Sequence, residues 1–211
     1  MCSAARNQLR SPLLRLPAEL RNIIYTMALQ EGCIEIASQS VSLMSFNTIL
    51  RAYRYSSSPD EPTGIRYQGS YTSFASVCRQ MYSETCLLPY TLNTFCFDSH
   101  KAMQTWMSCR LAVQRHAITS FKPPTAMIRE YIKKQSSTFK KWLPKLKTLY
   151  LDLWAPIETR ARTMMDEDIT SWIEQRKQEL EKREGPGVVI IVTKYNISRY
   201  FRRLNAGSPS N

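Results

Sequence analysis

The sequence predicts an α+β fold in which a helical N-terminal part leads into helix–strand units that build a small one-sided sheet. Three observations carry this prediction. From Ser73 onwards, segments with helical spacing alternate with short β-like runs, the order that lays strands parallel in one sheet. In "KTLYLDLW", Leu149, Leu151 and Leu153 alternate with Tyr150, Asp152 and Trp154, as in a strand with one buried and one open face. Upstream, Leu16, Leu20, Ile23, Ile24 and Met27 fall on one side at 3.6-residue spacing. The alternative is a doubly wound α/β sheet, because "VVIIV" is apolar throughout and suits burial on both faces.

The elements follow in order. Residues 1–11 read as a flexible lead-in. The first helix starts at Pro17, whose missing N–H is not needed in a first turn, and Glu19 suits the positive end of the helix dipole. Residues 30–72 are irregular: "CIEIAS" is β-like, "VSLMSFNTILRAYRY" is ambiguous, and "SSSPDEPTG" has the composition of a surface loop. "GIRYQGSY" is expected to pair back with "CIEIAS". A helix follows in "SFASVCRQMYSETCLL", with Phe74, Val77, Cys78, Met81, Thr85 and Leu88 on one stripe, then a short strand in "PYTLNTFCFDS". Three more helix–strand units end in "AITSFK", "KTLYLDLW" and "VVIIVTKY". They form an expected arc over 100–205, before a flexible tail at 206–211.

Composition limits function. Of the 211 residues, 43% are hydrophobic and 22% charged, close to globular averages, so a folded chain is expected. A net charge of +12 favours acidic partners, whether nucleic acid, anionic lipid or an acidic protein face. No secretory signal is visible, and no stretch reaches the roughly 20 apolar residues that cross a bilayer. The expected location is intracellular, in cytoplasm or nucleus, with no membrane partner. The six cysteines lack CxxC spacing, and reduced thiols are expected.

Catalytic patterns are missing from the sequence. His100 and His116, the two histidines, have no Cys, Asp or Glu at a metal-ligand spacing. The sequence contains no GxGxxG, GxxxxGKS or GxSxG. Neither enzyme activity nor a cofactor or metal is therefore expected. A basic cluster is more informative: Arg129, Lys133, Lys134, Lys140, Lys141, Lys145 and Lys147 interleave with Tyr131, Phe139 and Trp142, a mixture used by single-stranded nucleic-acid binders. The favoured arrangement nevertheless turns Ile128, Ile132, Phe139, Trp142, Leu143 and Leu146 inwards and leaves the lysines outside.

"LPAELRNIIY" resembles the first helix of an F-box, through Leu16, Pro17, Glu19, Leu20 and Ile24. "VCRQMYSE" resembles the Val-Cys-Arg segment that closes an F-box, through Val77, Cys78 and Arg79. With "LPYTLNTFCFDS", residues 12–99 resemble the F-box-like region of a large family of fungal proteins in which Leu-Pro-x-Glu-Leu-Arg, Cys-Arg-Gln and Asn-Thr-Phe recur. Residues 30–72 are an insertion in that pattern. The later units resemble leucine-rich repeats, "WLPKLKTLYLDL" most of all.

This resemblance implies an interaction module that docks a Skp-type adaptor of a cullin-RING ubiquitin ligase. Leu16, Pro17, Glu19, Leu20 and Ile24 would touch the adaptor, and Tyr150, Asp152 and Trp154 would offer a partner surface. The alternative is a binder of nucleic acid or acidic surfaces, without catalysis, through Lys133, Lys134, Lys140, Lys141, Arg202 and Arg203. Because the insertion separates the two F-box-like blocks, Leu20 and Ile23 are expected to turn into the core, with Leu16 and Pro17 partly exposed. Tyr150 and Asp152 are expected to be substantially exposed.

Overall fold

A computed structural model describes residues 11–30, 32–40, 48–55, 67–68, 77–133, 137–153 and 166–193. Seven strands form one sheet in the order β3-β2-β1-β4-β5-β6-β7. They are β1 (Cys33–Ser40), β2 (Thr48–Tyr55), β3 (Tyr67–Gln68), β4 (Thr94–Phe97), β5 (Ser120–Lys122), β6 (Thr148–Leu151) and β7 (Val189–Val192). β1, β4, β5, β6 and β7 run parallel, and β2 and β3 complete the edge in antiparallel pairing. The helices are α1 (Ala18–Leu29), α2 (Arg79–Thr85), α3 (Leu88–Leu92), α4 (His100–Ser108), α5 (Ala112–His116), α6 (Thr125–Ile132), α7 (Phe139–Trp142) and α8 (Asp166–Glu184), with a 3-10 turn at Leu13–Arg15.

The register explains the core. Ile34, Phe95, Phe121, Leu149 and Ile190 are successive partners across the five parallel strands, so they share one face, and all five are buried. Onto this row pack Tyr90 of α3, Met103 and Trp106 of α4, Ile128 and Tyr131 of α6, Phe139 of α7 and Leu180 of α8, in one cluster. Trp106 is its hub, with the Phe95 ring at 4.9 Å, Phe97 at 5.5 Å and Tyr90 at 6.1 Å. The opposite face carries the row Cys33, Thr94, Ser120, Thr148 and Val189, in which the Thr94 and Ser120 hydroxyls hydrogen-bond at 2.8 Å. Three hydroxyl side chains thus stand on the face opposite the large apolar row, but Cys33 and Thr94 there are buried, so that face is not the open one the alternation led us to expect.

The irregular region departs most from expectation. Of "GIRYQGSY", Tyr67 and Gln68 are described, and they pair with β2 and not with "CIEIAS". β1 has no edge to offer, because β2 occupies one side of it and β4 the other. The segment read as an insertion therefore supplies a central strand. The helix expected from Ser73 begins at Arg79 and ends at Thr85, with Cys78 in extended backbone ahead of it; Phe74 lies outside the described residues.

Leu149, Leu151 and Leu153 are buried as the alternation required, but their intended outward neighbours are not exposed. Tyr150 is half-buried and Asp152 is buried. The strand ends at Leu151, so strict alternation stops there, and the Thr193 N–H donates to the Leu151 carbonyl alongside (2.9 Å), covering the segment that holds Asp152. Asp152 has an interaction partner within the chain. Trp154 lies outside the described residues.

Candidate interaction surface

α1 carries apolar residues on two sides. Tyr25 and Leu29 turn inwards and join Leu14 and Met81 in a small cluster, with Leu13, Cys78, Leu88 and Leu92 packed at its margin. On the other side Leu20, Ile23, Ile24 and Met27 are 47%, 56%, 38% and 77% exposed. The expectation that Leu20 and Ile23 turn to the core is thus corrected. Leu14 of the 3-10 turn and Met81 of α2, with Leu88 and Leu92 of α3 at the margin, pack against the side that Tyr25 and Leu29 present. Leu16 is half-buried; Pro17 and Glu19 are exposed.

Polar contacts fix α1 in this orientation. Arg21 Nε and Nη2 donate to the two carboxylate oxygens of Glu84 on α2, at 3.0 and 2.7 Å, and Nη1 donates to the Leu16 carbonyl at 2.5 Å. Gln80 donates to the same carboxylate at 3.1 Å. The hydrogen bond from Arg21 holds the Glu84 carboxyl below its ordinary pKa, and burial pushes the Tyr25 phenol above its own. At the far end of α1, the Asn93 amide donates to the carbonyls of Leu29 and Pro89 at 2.8 and 3.0 Å, and its oxygen accepts from the Gly32 N–H at 3.1 Å. One buried side chain joins α1, α3 and the entry to β1.

These contacts reassign several residues singled out in the sequence. Arg21 belongs to Leu-Pro-x-Glu-Leu-Arg and Gln80 to Cys-Arg-Gln, and both meet on Glu84. Asn93, Thr94 and Phe95 of Asn-Thr-Phe respectively tie the helices to the sheet, bond to β5 and fill the core row. Glu84 and Asn93 were not legible as partners, because Arg21 and Glu84 stand 63 residues apart with no periodic pattern linking them.

A family model for a domain of unknown function, DUF7730, matches residues 6–140. The chain belongs to the DUF7730 family. No curated protein and no solved structure matches it. The segment matched to DUF7730 holds α1 to α6 and β1 to β5 and stops inside α7, leaving β6, α8 and β7 beyond it.

The basic cluster is dispersed by the fold. Lys133 and Lys141 are exposed, and so are Arg129, Lys145 and Lys147. Lys140 is half-buried: its backbone N–H donates to Glu184 at 2.9 Å and its Nζ, at the surface, to the Pro186 carbonyl at 2.5 Å. Lys134, Arg202 and Arg203 lie outside the described residues. Of the interleaved aromatics, Phe139 is buried as the inward stripe required and Tyr131 is buried beside it, whereas Trp142, expected in that stripe, is exposed. Glu184 accepts from the Tyr131 hydroxyl (2.5 Å) and the Phe139 N–H (2.8 Å), and burial, with this hydrogen bond, pushes the Tyr131 phenol well above its ordinary value.

Cys33 and Cys96, neighbours across β1 and β4, are both buried, with sulfurs 2.7 Å apart and hydrogen-bonded. That bond, with burial, raises the Cys96 thiol well above its ordinary pKa. Among the described residues no group of three or more His, Cys, Asp or Glu is placed to hold a metal ion. Among them, too, no helix is long and apolar enough to cross a membrane.

Proposed function

We propose that the chain is a non-catalytic, F-box-like interaction module that docks a Skp-type adaptor, and so serves as a substrate adaptor of a cullin-RING ubiquitin ligase. The observation that carries the proposal is the outer side of α1, where Leu20, Ile23, Ile24 and Met27 stand in water on a helix anchored from behind. Burying each such side chain is worth about 1.5 to 3 kcal/mol. Leaving four of them substantially exposed forgoes a sizeable share of the roughly 5 to 15 kcal/mol that stabilises a domain, and a protein partner is the ordinary reason for such a patch. Leu20 and Ile24 are also the positions that carry the F-box resemblance.

The basic alternative has less support. Single-stranded nucleic acid needs aromatic faces among the cations, and two of the three aromatics in the cluster lie in the core. The test is a pull-down of a Skp-type adaptor with the full chain and with a Leu20→Asp/Ile24→Asp variant, followed by circular dichroism. The expected result is binding by the parent chain, and a folded variant that does not bind. A folded variant that still binds, or a parent chain that binds no adaptor, overturns the proposal.

A further inference from the structure

A cavity of about 340 Å³ opens between α4–α5 on one side and α7 on the other, above the Phe121 ring of β5. Its floor is the sheet core itself, with Met103, Met107 and Phe121 facing the void. Its polar lining is different in kind: Arg115, His116 and Lys141 contribute, and no carboxylate is among the described residues that line it. Trp142 forms one wall, standing edge-on to Phe139 at 79° and exposed to solvent. The volume sits at the lower end of ligand pockets, and at about 30 Å³ per water it equals roughly eleven waters.

Among the described residues, neither Arg115 nor Lys141 makes an ion pair; Arg115 reaches only the Met107 carbonyl, at the long distance of 3.5 Å. By contrast Arg21 and Arg176 each hold a carboxylate. Two unpaired cations beside a low-dielectric, aromatic-walled void attract an anion more strongly than they would on an open surface. The fork of Arg115 suits a planar carboxylate.

We propose that this cavity binds a small amphiphilic anion, an aromatic or similarly compact apolar body carrying one carboxylate. The apolar body fills the space over Met103, Met107 and Phe121 beside Trp142, and the head group meets Arg115 and Lys141. The site is separate from the outer side of α1 and does not depend on adaptor binding.

The test is a titration of the full chain, labelled at its methionine methyls, with 4-phenylbutanoate, 4-phenylbutanamide and 4-phenylbutylamine. The carboxylate is expected to shift the Met103 and Met107 resonances saturably, leaving exposed Met27 unmoved. The amide should bind about tenfold more weakly, as loss of a charge-assisted contact implies, and the amine more weakly still. Arg115→Gln/Lys141→Gln is expected to fold normally and to bind carboxylate and amide equally. Met107→Trp, which fills the void, is expected to bind neither. Absence of a saturable shift at millimolar carboxylate, equal binding of the amine, or matching shifts at Met27 overturns the proposal.

Discussion

α4 and α1 carry similar apolar stripes and meet opposite fates. Met103 and Trp106 of α4 lie buried against the rings of the sheet, with Phe95 4.9 Å from Trp106. Leu20, Ile23, Ile24 and Met27 of α1 lie largely in water. The difference is what stands opposite. α4 crosses between two parallel strands and has a ready apolar row beneath it, whereas among the described residues α1 packs one side, through Tyr25 and Leu29, against the 3-10 turn and the short helices α2 and α3. An apolar stripe at helical spacing shows that a helix has something to bury; the neighbouring elements decide whether the burial happens within the chain.

The comparison breaks first at Trp106. Trp106→Ala removes the hub of the aromatic cluster and should cost about 3 to 5 kcal/mol, read as a large drop in thermal midpoint or loss of soluble protein; a midpoint near that of the parent chain would contradict the central place of Trp106 in the main cluster. Next is Asn93→Ala, which strips partners from the Leu29 and Pro89 carbonyls and the Gly32 N–H, at about 1 to 3 kcal/mol. Hydrogen exchange should then rise throughout α1 more than in β5 and β6, and uniform loss of protection would show that the helices and sheet are one cooperative unit.

Leu20→Asp/Ile24→Asp should change stability by no more than about 1 kcal/mol, since Asp is a poorer helix former but neither position is buried. Aggregation or unfolding of that variant would move the outer side of α1 into the core. Glu84 carries the smallest effect. Its carboxyl is held below its ordinary pKa, so its contribution is present above the ordinary value of about 4.3 and is lost as pH falls through the lower folded value. Glu84→Gln should therefore be less stable than the parent chain near neutral pH and converge with it in acid; a gap that persists in acid would assign the effect to packing.

The helix–strand alternation and the inward leucines of β6 were legible because period and order are local properties. The exposed side of α1 was not, because both of its sides are apolar and the buried one is set by contacts distant in sequence, Arg21 with Glu84 and Leu29 with Asn93. β1 as a central strand was equally hidden: "CIEIAS" reads as a strand, but its parallel partner lies beyond an irregular stretch whose composition resembles a loop. Asp152 escaped for a different reason, since alternation extended by one residue past Leu151 predicts exposure where the strand has already ended. The cavity rim joins α5 to α7, and Arg115 and Lys141 share no motif that would bring them together on the page.

The placement of β1 also sets an order of assembly. Thr94 and Ser120, partners across β4 and β5, are 26 residues apart, whereas Gly32 and Asn93, which bring β1 to β4, are 61 apart. Closing the longer loop costs only roughly 0.7 kcal/mol more on the logarithmic scale of chain closure, but it also requires the intervening β2, β3, α2 and α3 to find their places. The consecutive units β4 to β6 can meet as soon as each crossover helix forms, and short-range contacts form fastest. β1 is then expected to dock onto a waiting edge at β4, carrying α1 with it. In pulse-labelled hydrogen exchange during refolding, amides of β5 and β6 are accordingly expected to gain protection ahead of those of β1. During synthesis from the N-terminus, α1 would emerge well before α2, α3 and β4, the elements that anchor it.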